Sequence, residues 1–452
     1  MSATNLLLVL GCWHTLQIPD RLSLVQVPTG RASATAKLEF MDVFTRGLEG
    51  YSDFRWPHIT RIPAKGSPGG GLFAGPTDTL LALASGCNAT EVCSSAHPWP
   101  CCHDTDEQML MLRRSVDGGR SWSRILYPYL QPQGHTGMPW PFPKNWKAAG
   151  QMLWDPKGGR VWLLFSTEQA HDGAGHGCIG DGQTMEGLMM TYSTDLGLSW
   201  AAPLNLSTAI APQWGPSLCI APAGGNSMLM LDNHESERTL LLLAQIPGTL
   251  PGVRPPHGDV TIHITSLPNG PNDTIANMQY NVTLSLTQPC THAGKTCNFD
   301  EAAMAVIPTS ATSADTVFVV MRSDPTLTHS YATTVSTDGG YSFGLARFNP
   351  ELFSVACEPS AVWVVGGSNG AGGLFVAAPH IGHKPILPHT SFSDRSNMTV
   401  MARKSSINNV GPAARGGQWE VLRSVYAGPS MYSNLADGGD GNLLLFFERA
   451  GA

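Results

Sequence analysis

Residues 109–122 read Met109-Leu-Met-Leu112-Arg-Arg-Ser115-Val-Asp117-Gly-Gly119-Arg-Ser-Trp122. The apolar run at the start is short, as expected of a buried strand. An aspartate in a tight turn accepts hydrogen bonds from backbone N–H groups ahead of it, and glycine adopts positive φ without a Cβ clash. The aromatic residue that follows can bury its ring beneath the turn. The segment therefore predicts a strand that ends in a tight turn.

The turn pattern occurs three times along the chain. Ser, Asp, Gly and an aromatic residue recur at the same offsets in Ser193-Thr-Asp195-Leu-Gly197-Leu-Ser-Trp200 and Ser336-Thr-Asp338-Gly-Gly340-Tyr-Ser-Phe343. Each copy follows a short apolar or β-prone run, and recurrence at fixed offsets indicates a repeat architecture. The 49 glycines and 34 prolines among 452 residues fit a fold of many short strands and turns.

The repeated pattern resembles the Asp box of the sialidase (neuraminidase) superfamily, in which Asp boxes lie on hairpins at the rim of a β-propeller. The resemblance implies an all-β fold, a six-bladed β-propeller of four-stranded antiparallel sheets, over residues 53–452. Residues 1–52 are expected to form an N-terminal segment with strand-like runs at Leu22–Val27 and Lys37–Phe44. One of these runs is expected to complete the ring by pairing with the last blade. Asp boxes are structural, so function must be argued from other residues.

Composition restricts the partners and the compartment. A formal charge of −7 and the lack of a basic stripe argue against nucleic acid, and no apolar run is long enough to span a bilayer. Clustered cysteines without a CxxC pair favour disulfides over a zinc site, and five N-glycosylation sequons agree. We therefore expect a secreted, extracellular or lumenal protein, with lysosomal or endomembrane locations included. The run Leu6–Leu10 leaves a signal peptide open, and the oligomeric state is not indicated. The clustered cysteines are Cys87, Cys93, Cys101 and Cys102.

Three arginines match positions that hold the sialic acid carboxylate in the family. Arg61-Ile-Pro63 resembles the opening motif, whose arginine is the first of the three; the alternative is a surface arginine near a turn. Arg322 follows the apolar run Thr316–Met321, and Arg395-Ser-Asn-Met-Thr-Val400 resembles the family's Arg-x-x-Leu-Thr-Val. Guanidinium groups bind carboxylates through bidentate, charge-assisted hydrogen bonds. The resemblance further implies that Glu448 braces the first arginine.

Three other residues match the family's catalytic positions. Gly428-Pro-Ser-Met-Tyr432-Ser-Asn-Leu435 resembles Gly-Pro-Ser-x-Tyr-Ser-x-Leu, whose tyrosine is the nucleophile. Glu301 corresponds to the neighbouring base, with Asp300 as an alternative because two residues are inserted into the family's Asn-Glu pair. Counting back from the double arginine Arg113-Arg114 gives Asp104 as the acid/base, with Asp106 as the alternative.

The chemistry explains these residue types. A substrate with a carboxylate on its anomeric carbon repels an anionic nucleophile, whereas a neutral tyrosine beside a carboxylate base does not. Sialidases with a tyrosine nucleophile depart from the usual two-carboxylate scheme of glycosidases. The resemblance requires no metal or other cofactor. It implies an exo-α-sialidase that acts with retention on sialylated glycoproteins, glycolipids or oligosaccharides. A trans-sialidase and a non-catalytic sialoside-binding propeller remain as alternatives. The family's Glu-Gly-Arg is replaced by Ala84-Ser85-Gly86, which leaves the substrate preference open.

Overall fold

The computed structural model describes a set of ranges that together cover most of the sheet framework. They are 19–29, 37–67, 69–71, 74–88, 108–128, 146–169, 187–207, 221–222, 225–232, 238–246, 258–267, 278–283, 291–292, 295–296, 299–308, 315–323, 328–353, 357–365, 372–380, 395–403 and 419–450. Within these ranges no helix is long and apolar enough to cross a membrane.

The described residues are mostly in strands and turns, with a short 3-10 helix at Leu48–Gly50. The strands in chain order are β1 Pro19–Pro28, β2 Phe40–Thr45, β3 Tyr51–Ile62, β4 Thr79–Asn88, β5 Gln108–Ser115, β6 Trp146–Asp155, β7 Arg160–Gln169, β8 Gly187–Ser193, β9 Leu204–Asn205, β10 Ala221–Pro222, β11 Met228–Asp232, β12 Arg238–Ile246, β13 Gly258–Thr265, β14 Gln279–Thr283, β15 Thr291–His292, β16 Lys295–Thr296, β17 Phe299–Ile307, β18 Thr316–Ser323, β19 Ser330–Ser336, β20 Arg347–Phe353, β21 Ser360–Val365, β22 Gly372–Pro379, β23 Ser396–Arg403, β24 Trp419–Gly439 and β25 Asn442–Ala450.

The strands form small antiparallel sheets in a β-propeller-like arrangement. Strands β3-β4-β5 form one sheet and β6-β7-β8-β9 the next. A third sheet has the order β10-β12-β13-β14, with β11 also paired to β12, and β17-β18-β19-β20 form a fourth. Strands β15 and β16 pair with each other, and the remaining strands form one seven-stranded sheet in the order β2-β1-β25-β24-β23-β22-β21.

The two ends of the described chain meet in the seven-stranded sheet. Strand β1 pairs antiparallel with β25, and Leu24 lies opposite Phe446. Both side chains are fully buried, together with Leu22 and Phe44. Burial of this apolar surface stabilises the junction. An N-terminal strand therefore pairs with the last strand of the described chain.

The expectation of six separate four-stranded sheets is wrong for the described residues, which contain four sheets of four or more strands. The physical reason is β24, a continuous strand of 21 residues. It pairs with β23 up to Pro429 and with β25 from Ser430, so it joins two groups of strands into one sheet. In the β3-β4-β5 sheet, a fourth segment contributes only an isolated bridge between Leu112 and Leu126.

Apolar clusters fill the spaces between neighbouring sheets. Leu81 of β4 and Leu112 of β5, for example, belong to one buried cluster with Leu163 of β7 and Met189 of β8. Another cluster joins Leu24 of β1 to strands of the first sheet. Side chains that alternate along each strand thus reach two different clusters, one on each face of the sheet.

The three repeated turns have the same hydrogen bonds. After β5, the Ser115 hydroxyl donates to Asp117 Oδ1 at 2.7 Å, and the N–H of Ser121 donates to the same oxygen at 2.9 Å. The N–H of Gly119 donates to Ser115 Oγ at 2.8 Å. Because these bonds satisfy the turn internally, each turn is a rigid unit. Equivalent bonds occur in Ser193, Asp195, Gly197 and Ser199, and in Ser336, Asp338, Gly340 and Ser342.

The glycine two residues after the aspartate of each turn packs against a strand of a neighbouring sheet. Gly119 has φ +91°, and a Cβ there would lie 3.1 Å from Leu24. Gly197 contacts Leu81 in the same way, and Gly340 contacts Leu241. The turns therefore connect adjacent sheets, and only a residue without a side chain fits both the backbone angle and the space.

Candidate active site

A tyrosine and a glutamate from different sheets meet at the centre of the candidate site. The hydroxyl of Tyr432, on β24, donates a 3.0 Å hydrogen bond to Oε1 of Glu301, on β17. Arg322, on β18, donates from Nη1 to the other oxygen of the same carboxylate. Glu301 and Arg322 keep about a fifth of their side-chain surface exposed, whereas Tyr432 is only 5% exposed. The tyrosine therefore lies on the floor of the site, and the ion pair lines its open side.

Two further guanidinium groups lie beside the tyrosine. The guanidinium carbon of Arg55, on β3, is 5.5 Å from the centre of the Tyr432 ring, and that of Arg395 is 5.7 Å away. Both arginines are buried. Arg55 is also 3.9 Å from the carboxylate of Glu448, whose Oε1 accepts the backbone N–H of Trp56 at 3.1 Å. Three arginines thus surround the Tyr432–Glu301 pair, and the carboxylate of Glu448 forms an ion pair with one of them, Arg55.

The structure does not place Arg61, the predicted first arginine, beside Tyr432. Its Nε donates to Asp78 at 2.7 Å, and its guanidinium lies against Gly439, where a Cβ would be 2.6 Å from Nη2. Glu448 consequently braces Arg55 and not Arg61. Two Arg-x-Pro tripeptides begin in β3, Arg55-Trp-Pro57 and Arg61-Ile-Pro63, and the motif Arg-Ile-Pro selected the second. The signal for Arg55 was the first tripeptide, in which tryptophan replaces the isoleucine of the motif.

The other predicted residues have different outcomes. Glu301, Arg322, Arg395, Tyr432 and Glu448 are brought together. Asp104 and Asp106 lie outside the described residues, so the acid/base stays a prediction. The backbone of Asp300 pairs with Arg322, and its side chain is not among those described. The cysteine insertion also lies largely outside the described residues, and its disulfides stay a prediction.

Irregular strand geometry positions the site residues. The pairing register of β17 shifts between Asp300 and Ala303, and Glu301 has φ +43°. The register of β3 shifts just after Arg55, where Trp56 has φ +53°. The register of β24 shifts between Ser430 and Ser433, an interval that contains Tyr432, and the register of β23 shifts between Ser396 and Met398, just after Arg395. A bulge breaks the strict alternation of a strand and re-aims a side chain, and such strained residues concentrate at functional sites.

The environment keeps the tyrosine neutral. Burial raises the pKa of Tyr432 well above its ordinary value, and the negative charge of Glu301 raises it further, while the surrounding arginines act in the opposite direction. Burial also raises the pKa of Glu448 to about 7, although the charge of Arg55 and the N–H of Trp56 lower it. The resting site therefore presents a neutral hydroxyl that is hydrogen-bonded to a carboxylate.

An asparagine two residues after the tyrosine fixes its position. Asn434 is fully buried, and its Oδ1 accepts the N–H of Ile59, on β3, at 3.0 Å. Its Nδ2 donates to the carbonyl of Gly225. The next residue, Asn226, accepts the N–H of Met304, on β17, at 2.8 Å. A buried amide with satisfied partners thus joins the strands that carry Tyr432, Arg55 and Glu301.

Solved structures identify the fold. No protein-family model and no curated protein matches the chain. The intramolecular trans-sialidase from Ruminococcus gnavus is similar over 91% of this chain and 93% of its own, with a TM-score of 0.55 and 16% identity. The Hadza microbial sialidase Hz136 is similar over 89% of this chain and 67% of its own, with a TM-score of 0.55 and 15% identity. The NanB sialidase from Streptococcus pneumoniae is similar over 91% and 67%, with a TM-score of 0.54 and 11% identity. At these identities the similarity shows the fold, so the chain has the β-propeller fold of the sialidases.

Proposed function

We propose that the protein is an exo-α-sialidase that releases terminal sialic acid from glycans with retention of anomeric configuration. The observation that carries the proposal is the hydrogen bond between Tyr432 and Glu301 within a group of three guanidinium groups. The shared fold with sialidases agrees with it. The proposed catalytic unit includes β1 and β2, because β1 is hydrogen-bonded to β25.

The arginines account for recognition of the substrate's carboxylate. Arg55, Arg322 and Arg395 carry three positive charges around one tyrosine ring, and Glu448 holds Arg55 from behind. Charge-assisted hydrogen bonds to a carboxylate fix both the position and the orientation of a sugar. This places the anomeric carbon, to which the carboxylate is attached, over the hydroxyl of Tyr432.

The first chemical step forms a bond between Tyr432 and the sugar. The phenolic oxygen attacks the anomeric carbon, and its proton passes to Glu301 along the existing hydrogen bond. The glycosidic bond breaks at the same time, and Asp104, the proposed acid, protonates the leaving oxygen. A neutral nucleophile avoids repulsion by the substrate's carboxylate, and the nearby guanidinium groups stabilise the negative charge that develops on the phenolic oxygen.

The second step releases the sugar. Asp104, now ionised, takes a proton from water, which attacks the anomeric carbon. The bond to Tyr432 breaks, and Glu301 returns the proton to the phenolic oxygen. Because two displacements occur at the same carbon, the product keeps the anomeric configuration of the substrate.

A fluorogenic sialoside tests the proposal, with and without a galactoside acceptor. Release of the fluorophore with free α-sialic acid as the first product is the expected result. Proton NMR during the first turnovers distinguishes this anomer from the inverted one. A sialylated galactoside would identify transfer in place of hydrolysis. Binding without fluorophore release would identify a binding propeller, and inversion would overturn the tyrosine mechanism.

A further inference from the structure

Glu358 lies in the candidate site, although no sequence motif indicated it. The residue before it, Cys357, is fully buried against Met431 and Tyr432. Ser360 lies two residues after Glu358, and its Oγ is 3.2 Å from Oγ of Ser433. The chain on both sides of Glu358 is therefore fixed against the residues that flank the proposed nucleophile.

The carboxyl of Glu358 fills a space that a glycine leaves open. A Cβ at Gly225 would lie 3.0 Å from Oε1 of Glu358 and 2.9 Å from the carbonyl oxygen of Ser433. Glu358 still keeps part of its surface exposed. Its Oε1 therefore packs beside Gly225 and the backbone of Ser433, the residue that follows Tyr432.

Glu358 is the third carboxyl in this cluster. Burial raises its pKa well above the ordinary value, and the negative charges of Glu301 and Glu448 raise it further, whereas Arg322 and Arg55 lower it. Of the three carboxyls, Glu301 has Arg322 and the Tyr432 hydroxyl as partners, and Glu448 has the N–H of Trp56. The charged and titratable groups around Glu358 are Glu301 on β17, Arg322 on β18, Glu448 on β25, Arg55 on β3, Tyr432 on β24, Arg395 before β23 and the adjacent Cys357.

The protonation state of Glu358 decides the net charge of the site. Above about pH 7, where Glu448 is ionised, the guanidinium groups of Arg55, Arg322 and Arg395 and the carboxylates of Glu301 and Glu448 leave one net positive charge when Glu358 is neutral. That charge matches a substrate with one carboxylate. Ionised Glu358 would make the site neutral before the substrate enters, and the complex would then carry an uncompensated negative charge at low dielectric, which is costly.

We propose that Glu358 is a substrate-binding residue that must be protonated for the anionic sugar to bind. The inference rests on the proposed function, because it takes the substrate to be a sialoside. It adds a residue that no motif includes and a specific source of pH dependence. Loss of the Glu358 proton weakens binding of an anion and leaves the nucleophile and its base in place.

The first test compares KM for a fluorogenic sialoside from about pH 5 to about pH 9 in the wild type, Glu358→Gln and Glu39→Gln. Glutamine has the shape of a protonated glutamate and cannot ionise, and Glu39 is an exposed acid outside the site. Burial raises the pKa of Glu448 to about 7, so a change in KM that all three proteins share is expected near that pH. Above that pH, KM of the wild type and of Glu39→Gln should rise by up to about tenfold per pH unit, while KM of Glu358→Gln stays level. Parallel curves for the wild type and Glu358→Gln would overturn the proposal.

The second test needs no substrate. When the infrared spectrum of Glu358→Gln is subtracted from that of the wild type, both recorded at about pH 6, the difference spectrum should contain the C=O band of a protonated carboxylic acid. An ionised carboxylate in this difference overturns the proposal whatever the activity of the enzyme. A wild type that shows the protonated band but does not bind the sialoside overturns the proposed function, and with it the role of Glu358 in binding. The two failures are therefore distinguishable.

Discussion

Nε of Arg55 lies 3.9 Å from Oε1 of Glu448, and the two residues come from nearly opposite ends of the chain. The same carboxylate oxygen accepts the N–H of Trp56, the residue after Arg55. Strand β25, which carries Glu448, is in turn hydrogen-bonded to the N-terminal strand β1. One of the three arginines beside Tyr432 is therefore held where the beginning and the end of the fold meet.

This relationship predicts different outcomes for two arginines. Arg55→Gln removes a guanidinium group beside Tyr432 and should lower kcat/KM for a sialoside by about 10²-fold, through the loss of a charge-assisted contact. Arg61→Gln removes only the partly exposed pair with Asp78, so kcat/KM should stay within about threefold. Steady-state kinetics of both variants provide the comparison. A larger loss in Arg61→Gln than in Arg55→Gln would restore the interpretation drawn from the Arg-Ile-Pro motif.

Tyr432→Phe tests the nucleophile. The ring packing is kept and only the hydroxyl is removed, so kcat should fall by about 10²-fold or more while the protein still folds and binds. The matched control is Tyr426→Phe on the same strand, because that hydroxyl donates to the carbonyl of Ala450 at 2.9 Å and is outside the site. A fluorinated sialic acid derivative should label Tyr432 in the wild type and in the control. Near-normal turnover by Tyr432→Phe would contradict the mechanism.

Two adjacent glycines separate backbone strain from packing in the first repeated turn. Gly118 and Gly119 both have positive φ, but a Cβ at Gly118 meets nothing within 4 Å, whereas one at Gly119 lies 3.1 Å from Leu24. Gly118→Ala should lower the free energy of unfolding by about 1 kcal/mol, since alanine disfavours the left-handed region. Gly119→Ala should lower it by about 1–3 kcal/mol more, because the methyl group overpacks the contact with β1. Urea unfolding measures both, and equal losses would show that the turn does not support the neighbouring sheet.

His58 predicts a loss of stability in acid. Its Nε2 donates to the carbonyl of Met152 at 2.8 Å, and burial lowers its pKa to about 4. The unfolded chain binds this proton below about pH 6.5 and the native protein does not, so stability should fall as the pH drops from 6.5 towards 4. The contribution is at most about 1.4 kcal/mol per pH unit.

The measurement for His58 is urea unfolding at several pH values in the wild type and His58→Gln. The variant should be less stable at neutral pH, because a buried contact between β3 and β6 is changed, and its stability should vary less between about pH 6.5 and about pH 4. The same pH dependence in both proteins would show that His58 is protonated in the native state or is not the titrating group.

The cysteines predict a specific alkylation pattern. Cys357 is a buried free thiol, and burial raises its pKa to about 12, so iodoacetamide should not modify it in the native protein. It should be modified after unfolding without reductant. The clustered cysteines Cys87, Cys93, Cys101 and Cys102 should resist modification until a reductant is added, if they form the predicted disulfides. Mass spectrometry of the three samples gives the result, and free thiols in the cluster would remove the argument for a secretory location.

Much of the site could be predicted from the sequence because its residues lie in short motifs with fixed neighbours. Gly428-Pro-Ser430 and Ser433 flank Tyr432, and Arg322 directly follows an apolar strand. The repeated turns were predictable for a similar reason, since Asp117 bonds only to residues within four positions of it. Local hydrogen bonds and local backbone angles depend on local sequence.

The choice between Arg55 and Arg61 required the tertiary structure. Both arginines lie in β3, two residues before a proline. No local feature favours Arg55, whose tripeptide has tryptophan in place of the motif's isoleucine. The register shift after Arg55 and the position of Glu448 on β25 place Arg55 in the site, and both depend on contacts between residues far apart in the chain. Glu358 was missed for the same reason, because its surroundings come from β3, β17, β18 and β25.

The sequence by itself determined the all-β class and the three turns, because each depends on short segments with strong local preferences. The tertiary structure decided which arginine and which carboxyls lie beside Tyr432, and how many separate sheets the described residues form. Those features depend on where distant strands pair and bulge, as in β24, whose 21 residues change partner at Ser430 and join two groups of strands into one sheet.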